Sequence, residues 1–256
     1  MSALVLLHGF LGLPSHFASV RAFLPQNASV SAPILPGHGL AARAGEPDGW
    51  RGAVEALAGD VPAGAVLAGY SLGARLALGI AASRADLAAL VLISGHPGLL
   101  DDEERQERRA ADLDKANQAE TAGMIAFADA WGREPIVALH AASEPDRLAR
   151  AEARRSHDAG SVAWSLRALG LGSMPYLGDA LRSRPYPVTL VTGALDAKFT
   201  GIASAFAGKG VVHQVVPHAG HDVALDAPEL LAGILTAVLA SSSRRESPQR
   251  KESRHE

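Results

Sequence analysis

The sequence has no cysteine among its 256 residues. A disulfide framework, a thiolate zinc site and a cysteine nucleophile are therefore excluded. The formal net charge is only -3, which gives no electrostatic reason to expect binding to nucleic acid or to a membrane surface. No H-E-x-x-H motif is present, and no phosphate-binding glycine motif precedes a helix, so we predict neither a metal site nor a bound cofactor.

The N-terminal segment MSALVLLHGF lacks basic residues, and its apolar run is short for a signal peptide or a membrane span. We therefore expect a cytoplasmic protein. Apolar residues make up 48% and charged residues 20%, as in ordinary globular proteins, and the length suits one large α/β domain, with or without an insertion. The sequence leaves the oligomeric state open, and a monomer is compatible with it.

The stretch 65–82, AVLAGYSLGARLALGIAA, is the most informative part of the chain. An apolar run, the pentapeptide G-Y-S-L-G and a second apolar run with helical spacing predict a buried strand, a sharp turn and a helix. In that context G-x-S-x-G is typical of the nucleophile elbow of α/β-hydrolases. A chance match is the alternative in a chain with 26 glycines, but the flanking strand and helix favour the elbow. Ser71 is the candidate nucleophile.

A serine nucleophile needs a base and an acid, and both have candidates downstream. Asp196 follows a predicted strand over 187–192, and His221 follows the last predicted strand over 210–216. The order Ser71, Asp196, His221 is that of α/β-hydrolases. Weaker alternatives in the same region are His218 for the base and Asp222 or Asp226 for the acid.

The first predicted strand ends in the loop H-G-F-L-G at 8–12. In α/β-hydrolases such a loop supplies one backbone N–H of the oxyanion hole, and the residue after the nucleophile supplies the other. The matching positions here are Phe10 and Leu72. The alternative is that these glycines only allow the chain to turn.

Strands alternate with helices up to residue 98, β-branched runs are then absent until about residue 185, and the strands resume. This pattern predicts a doubly wound, mostly parallel sheet with a helical lid inserted into it, that is, an α/β-hydrolase fold. We assign 1–98 and 185–240 to the core, 99–184 to the lid and 241–256 to a disordered tail. A separate helical domain is the alternative for the middle segment.

Arg75 lies four residues after Ser71 and interrupts an otherwise apolar helix. A charge so close to the sheet is costly unless it is paired or faces a pocket. A structural ion pair is one interpretation. The other is a guanidinium directed at an anionic substrate, because arginine binds carboxylates bidentately.

Five segments together resemble one family within the α/β-hydrolases: VLLHGFLG, PGHG, GYSLGARLAL, SGHPGL with its arginine-rich sequel, and GALDAKF. This family is MenH, 2-succinyl-6-hydroxy-2,4-cyclohexadiene-1-carboxylate synthase, and the likeness extends over nearly the whole folded chain. The family commonly has Gly-Gly before the arginine, where this chain has Gly73-Ala74.

The resemblance implies a cofactor-free lyase of menaquinone biosynthesis that eliminates pyruvate from a succinyl-enolpyruvyl-hydroxycyclohexene carboxylate. Ser71, paired with His221 and Asp196, would act as the base, and the Phe10 and Leu72 amides would stabilise developing charge. Further residues would contact the small anionic substrate: Arg75, Arg108 and Arg155 at its carboxylates, and Tyr70 and Trp131 along the pocket wall.

Two other functions remain open from the residues alone. The first is a serine hydrolase, either an esterase or a carbon–carbon bond hydrolase, that acts on a small anionic substrate. The second is a ligand-binding module with an idle triad. Several arginines converging on Ser71 would favour the lyase, whereas a single paired Arg75 in an apolar pocket would favour the hydrolase.

Overall fold

The structure is a computed structural model, and it describes residues 3–39 and 46–246. Its centre is a six-stranded sheet of order β2-β1-β3-β4-β5-β6, in which every neighbouring pair is parallel. The strands are β1 (Leu4–Leu7), β2 (Val30–Ser31), β3 (Val66–Tyr70), β4 (Ala89–Ile93), β5 (Val188–Gly193) and β6 (Val211–Val216). The prediction of a mostly parallel, doubly wound sheet is confirmed.

Helices cover both faces of this sheet. The helices of the core are α1 (Ala18–Ala22), α2 (Gly49–Ala58), α3 (Leu72–Ser83), α9 (Ala197–Ser204), α10 (Val223–Asp226) and α11 (Pro228–Glu246). The helices between β4 and β5 are α4 (Asp102–Ala122), α5 (Met124–Trp131), α6 (Glu144–Arg155), α7 (Ala159–Leu169) and α8 (Gly178–Arg182). Within the described ranges, no helix has the length and apolar character needed to cross a membrane.

The strands are apolar on both faces because both faces are buried. In β1, Leu4 and Leu6 pack with α1, α10 and α11, whereas Val5 and Leu7 pack with α2 and α3. All four side chains are fully buried. Alternation along a strand therefore divides one apolar run between two cores.

The helices between β4 and β5 form a third, smaller core over the carboxyl end of the sheet. Phe127 of α5 and Val162 and Leu166 of α7 pack there against Leu11, which follows β1. Side-chain caps begin three of these helices: Asp101 accepts from the amide of Glu104, Ser143 from Asp146 and Asp158 from Ser161. The insertion thus rests directly on the loop that follows β1.

Two predicted elements differ in length from those observed. The apolar stretch 28–32 before Pro33 predicts a second strand, but the observed strand is only Val30–Ser31, since it lies at the edge of the sheet and Pro33 has no N–H to continue the ladder. The expectation of disorder from residue 241 is wrong for 241–246, where α11 continues to Glu246 and Ser242 is buried. The hydroxyl groups of Ser241 and Ser242 donate to the Val238 carbonyl in the preceding turn, so these polar residues are accommodated in the helix. Residues 247–256 of that expected tail lie outside the described residues.

Candidate active site

Ser71 lies at the turn between β3 and α3, with φ 52° and ψ -107°. A non-glycine residue in this region is strained, and the surrounding packing holds it there. Gly69 and Gly73 make the turn possible, because a Cβ at Gly69 would collide with the Gly73 carbonyl and one at Gly73 with the carbonyl of Leu7. The strand, strained turn and helix form a nucleophile elbow.

His221 lies between the other two residues of the predicted triad. Its Nε2 is 3.0 Å from Ser71 Oγ, and its Nδ1 is 2.7 Å from Asp196 Oδ2. An ionised carboxylate only accepts hydrogen bonds, so Nδ1 carries the proton and Nε2 is free to accept from the serine hydroxyl. This is the arrangement in which imidazole activates a serine.

Neighbouring groups orient both partners of Ser71. Asp196 caps α9, because its Oδ1 accepts from the Phe199 amide at 3.2 Å. The Ser94 hydroxyl donates to the carbonyl of His221 at 2.7 Å, and the Phe199 ring lies 4.4 Å from the imidazole centre. These contacts limit rotation of the imidazole between Asp196 and Ser71.

Phe10 and Leu72 both line the pocket beside Ser71. Leu72 is the first residue of α3, so its amide has no acceptor within the helix. Phe10 lies in a turn closed by the Gly12 amide, which donates to the Gly9 carbonyl at 3.0 Å. Both amides belong to backbone that the elbow and the turn hold in place.

Buried histidines hold the loop at 8–12. His8 Nε2 accepts from the Leu35 amide at 3.1 Å, and His38 Nε2 accepts from the Leu11 amide at 3.1 Å. Their Nδ1 atoms lie 2.9 Å and 3.0 Å from the carbonyls of Gly9 and Pro36, so both rings are neutral with the proton on Nδ1. Burial lowers the pKa of His8 well below its usual value and that of His38 to about 3.

A pocket of about 880 Å³, including its open mouth, lies above Ser71 and His221. Four cations and one carboxylate line it among the described residues: Arg75, Arg108, Arg150, Lys198 and Asp112. Arg108 Nε pairs with Asp112 Oδ1 at 2.9 Å, whereas in the described parts of the chain neither Arg75 nor Lys198 has a carboxylate within ion-pair distance. The pocket therefore offers uncompensated positive charge.

Arg75 reaches this pocket from the first turn of α3. Its guanidinium donates to the Leu169 carbonyl at 2.7 Å and lies 5.9 Å from the ring centre of Trp50. Burial, together with the nearby charge of Arg108, lowers the pKa of Arg75 to about 9. The guanidinium stays charged at neutral pH, but its surroundings stabilise that charge less well than water does.

His96 belongs to the H-P-G-L segment and also lines the pocket. Its Nδ1 accepts from the Gly98 amide at 3.1 Å, which leaves Nε2 as the protonated nitrogen. Burial and the charges of Arg75 and Lys198 lower the pKa of His96 to about 4. His96 is thus a neutral hydrogen-bond donor among cations.

Aromatic rings form the opposite wall. Tyr70 and Trp131 both line the pocket, as the resemblance implied. The Trp131 ring lies 5.0 Å from Phe10 in an edge-to-face arrangement, and among residues 3–39 and 46–246 its buried Nε1 has no hydrogen-bond partner. An unpaired buried indole N–H at a pocket wall is a donor available to a ligand.

The structure does not bring Arg155 to this site, so the expectation that it binds substrate is wrong here. Its side chain is half exposed and pairs with Asp129 at 2.7 Å on the outer surface of the insertion. Helical geometry explains the difference, because each residue turns the helix by about 100° and side chains five residues apart therefore point about 140° apart. Arg150 of the same helix lines the pocket instead.

Sequence reasoning missed Arg150. Its guanidinium is buried and contacts the Leu11 carbonyl, 139 residues earlier in the chain. It is one of several arginines on α6, and no local motif distinguishes it from the others.

Within residues 3–39 and 46–246, no three His, Asp or Glu side chains are grouped as metal ligands. The hydrogen-bonded serine, histidine and aspartate below a pocket are the chemical groups that this site offers. They can activate a hydroxyl group and move a proton.

The fold, elbow and triad geometry define the class of this protein: the chain belongs to the alpha/beta hydrolase family, whose sequence model matches residues 4–234.

The relatives define a narrower group. The chain is 32% identical over 241 residues to the 2-succinyl-6-hydroxy-2,4-cyclohexadiene-1-carboxylate synthase of Enterobacter sp. (strain 638), covering 92% of this chain and 91% of that protein. It is 33% identical over 244 residues to the synthase of the same name from Klebsiella pneumoniae (strain 342), covering 93% and 94%. The solved structure of MenH from S. aureus superposes with a TM-score of 0.86 at 25% identity, covering 94% of each chain. The chain belongs to this synthase family, MenH, and the resemblance seen in the sequence is confirmed.

Proposed function

We propose that this protein catalyses the reaction for which its relatives are named. It would eliminate pyruvate from a succinyl-enolpyruvyl-hydroxycyclohexene carboxylate and form 2-succinyl-6-hydroxy-2,4-cyclohexadiene-1-carboxylate, a step of menaquinone biosynthesis. The observation that carries the proposal is the Ser71–His221–Asp196 hydrogen-bond chain at the base of a pocket with unpaired cations. The substrate carries several carboxylates, which such a pocket attracts.

Ser71 acts as the base in this proposal. His221 Nε2, at 3.0 Å, accepts the hydroxyl proton while the Ser71 oxygen removes a proton from a ring carbon. The electrons of the broken C–H bond form the new ring double bond, and the C–O bond to the enolpyruvyl group breaks. Pyruvate leaves as its enolate and takes a proton, for which protonated His221 is the nearest donor.

Stabilisation of developing charge falls to the Phe10 and Leu72 amides. Proton removal next to a carbonyl or carboxyl group moves negative charge onto its oxygen, and preorganised N–H donors lower the energy of that state. Removal of one such donor in other enzymes costs about 10²- to 10³-fold in kcat.

Arg75, Arg108 and Lys198 bind the substrate carboxylates, and Trp131 Nε1 supplies a further donor from the lid. Several cations near Ser71 support the elimination over the hydrolysis of a neutral ester. In the same proposal, residues 99–184 act as the lid that carries Arg108 and Trp131, over a core formed by 1–98 and 185–240.

The test is a coupled assay with the enolpyruvyl substrate generated in place. Pyruvate release and the new diene absorbance are followed together, with p-nitrophenyl acetate hydrolysis in parallel. We expect fast pyruvate release and negligible ester cleavage. Ester cleavage without pyruvate release would overturn the proposed reaction and would indicate a serine hydrolase.

A further inference from the structure

Three charged or titratable side chains lie buried next to the triad without belonging to it. Asp222 follows His221 directly, and its Oδ1 is 3.1 Å from His16 Nε2. Its Oδ2 is 3.8 Å from Nε of Arg150, a residue of α6. All three side chains are almost fully buried, and His16 stacks on Tyr70 with ring centres 5.1 Å apart. Burial without compensation would make such charges very costly.

Arg150 also binds the loop at 8–12 through two backbone carbonyls. Its Nη1 donates to the Leu11 carbonyl at 2.5 Å and its Nη2 to the Phe10 carbonyl at 3.2 Å. The Leu11 amide is itself bound to His38. The peptide group between Phe10 and Leu11 is therefore held at its oxygen by the insertion and at its nitrogen by the core.

This bond network holds a strained backbone. Leu11 has a φ of 52°, which a leucine rarely adopts, and it lies one residue after Phe10. Without its contacts the loop would relax towards an ordinary conformation, and the amide of Phe10 would move with it. A displacement of about 1 Å at a reacting site is enough to cost about 10²-fold in rate.

Asp222 supplies the negative charge that compensates the buried Arg150 guanidinium. Burial by itself would raise the pKa of Asp222, but His16 and Arg150 outweigh that effect and the pKa is lowered. The carboxylate thus stays ionised beside the guanidinium and immediately follows His221 in the chain. Arg150 consequently connects three parts of the site: the insertion, the loop at 8–12 and the segment that carries His221.

We propose that Arg150 is a positioning residue. Its guanidinium binds the Phe10 and Leu11 carbonyls while Asp222 compensates its charge, and this fixes the position of the Phe10 amide that donates to the developing oxyanion. The oxyanion hole is therefore complete only when α6 is packed on the core. This inference rests on the proposed function, because it takes the Phe10 amide as an oxyanion donor.

The test compares Arg150→Lys with Arg147→Lys in the pyruvate-release assay. Lysine at 150 keeps a positive charge beside Asp222, but its single nitrogen does not reproduce the guanidinium fork that binds both carbonyls. Arg147 is the matched control, since it lies on α6 and donates to the Leu139 and Ala142 carbonyls within the insertion. We expect kcat of Arg150→Lys to fall about 10²-fold with little change in KM, and Arg147→Lys to stay near wild type.

A second variant separates positioning from a structural role. Arg150→Ala leaves a cavity of the shape of the side chain and removes the counter-charge of buried Asp222, so its urea midpoint should fall. Guanidinium ion at low millimolar concentration should fill the cavity and restore part of kcat. Wild-type kcat in Arg150→Lys, or a loss of stability with no rescue of kcat in Arg150→Ala, would overturn the inference. Failure of the proposed function is a different result, because wild-type protein would then release no pyruvate at all.

Discussion

Replacement of Arg75 by methionine separates substrate binding from structural pairing. Methionine keeps much of the length and the apolar contacts of the arginine stem but removes the charge. In the folded protein the guanidinium has one hydrogen bond, to the Leu169 carbonyl, and no carboxylate within ion-pair distance among the described residues. A substrate carboxylate would be its principal partner.

The expected loss of activity follows from these contacts of the Arg75 guanidinium. A hydrogen bond between charged groups contributes about 1.5–3 kcal/mol, which corresponds to about a 10- to 100-fold decrease in kcat/KM. The free energy of unfolding should change by less than about 1 kcal/mol, because the lost bond to Leu169 is offset by removal of a poorly stabilised charge. The lowered pKa of Arg75, about 9, is the evidence for that poor stabilisation.

Arg84→Met is the matched control, since Arg84 lies just beyond the other end of the same helix. Its guanidinium donates to Asp86 at 2.7 Å and to the Val61 carbonyl at 2.6 Å, and the Asp86 hydrogen bond raises its pKa. We expect Arg84→Met to lose about 1–2 kcal/mol of stability with unchanged kcat/KM. Pyruvate release and urea denaturation measure both quantities. If Arg75→Met loses stability and keeps its kcat/KM, Arg75 is a structural cation and the reasoning is refuted.

Three further changes test other parts of the site. Ser71→Ala should lower kcat by at least about 10³-fold with unchanged urea unfolding, and near-normal pyruvate release would remove Ser71 from the mechanism. Asp226→Asn should lower the free energy of unfolding by about 2–3 kcal/mol. Asp226 Oδ1 accepts from the His140 amide in the insertion at 2.7 Å and Oδ2 accepts from the Gly220 amide at 2.8 Å, so the amide nitrogen of asparagine would face one of these donors. An unchanged urea midpoint would contradict this. The wild type should lose stability as pH falls from about 6.5 to about 5. In this range His38 takes up a proton in the unfolded chain but not in the folded protein, where burial lowers its pKa to about 3. His38 contributes about 1.5 kcal/mol to that loss, so His38→Gln should have a shallower pH dependence in urea titrations, and an equal slope would count against the assignment.

Short-range patterns were enough to predict the sheet and the elbow. The apolar run before G-Y-S-L-G and the spacing after it imply a buried strand and a helix, which the structure has at Val66–Tyr70 and Leu72–Ser83. Strand and helix signals depend on neighbours within a few residues, and the chain order of Ser71, Asp196 and His221 can be read directly. Family membership followed from the same local segments.

The position of each arginine was decided only by the tertiary structure. Arg150 and Arg155 lie on one helix and are chemically identical, yet Arg150 contacts the Leu11 carbonyl and Arg155 pairs with Asp129 at the surface. Which of them faces the core depends on how α6 is rotated against a loop that is 139 residues distant from Arg150 in the chain. No sequence window contains that rotation.

The sequence by itself thus determined the class of fold, the candidate triad and the family, because each depends on local patterns and on residue order. The tertiary structure alone decided which cations lie unpaired in the pocket and how Arg150, Asp222 and the loop at 8–12 come together. These features arise where segments from distant parts of the chain meet at the carboxyl edge of the sheet. Their energies depend on burial and distance, which exist only once the chain has folded.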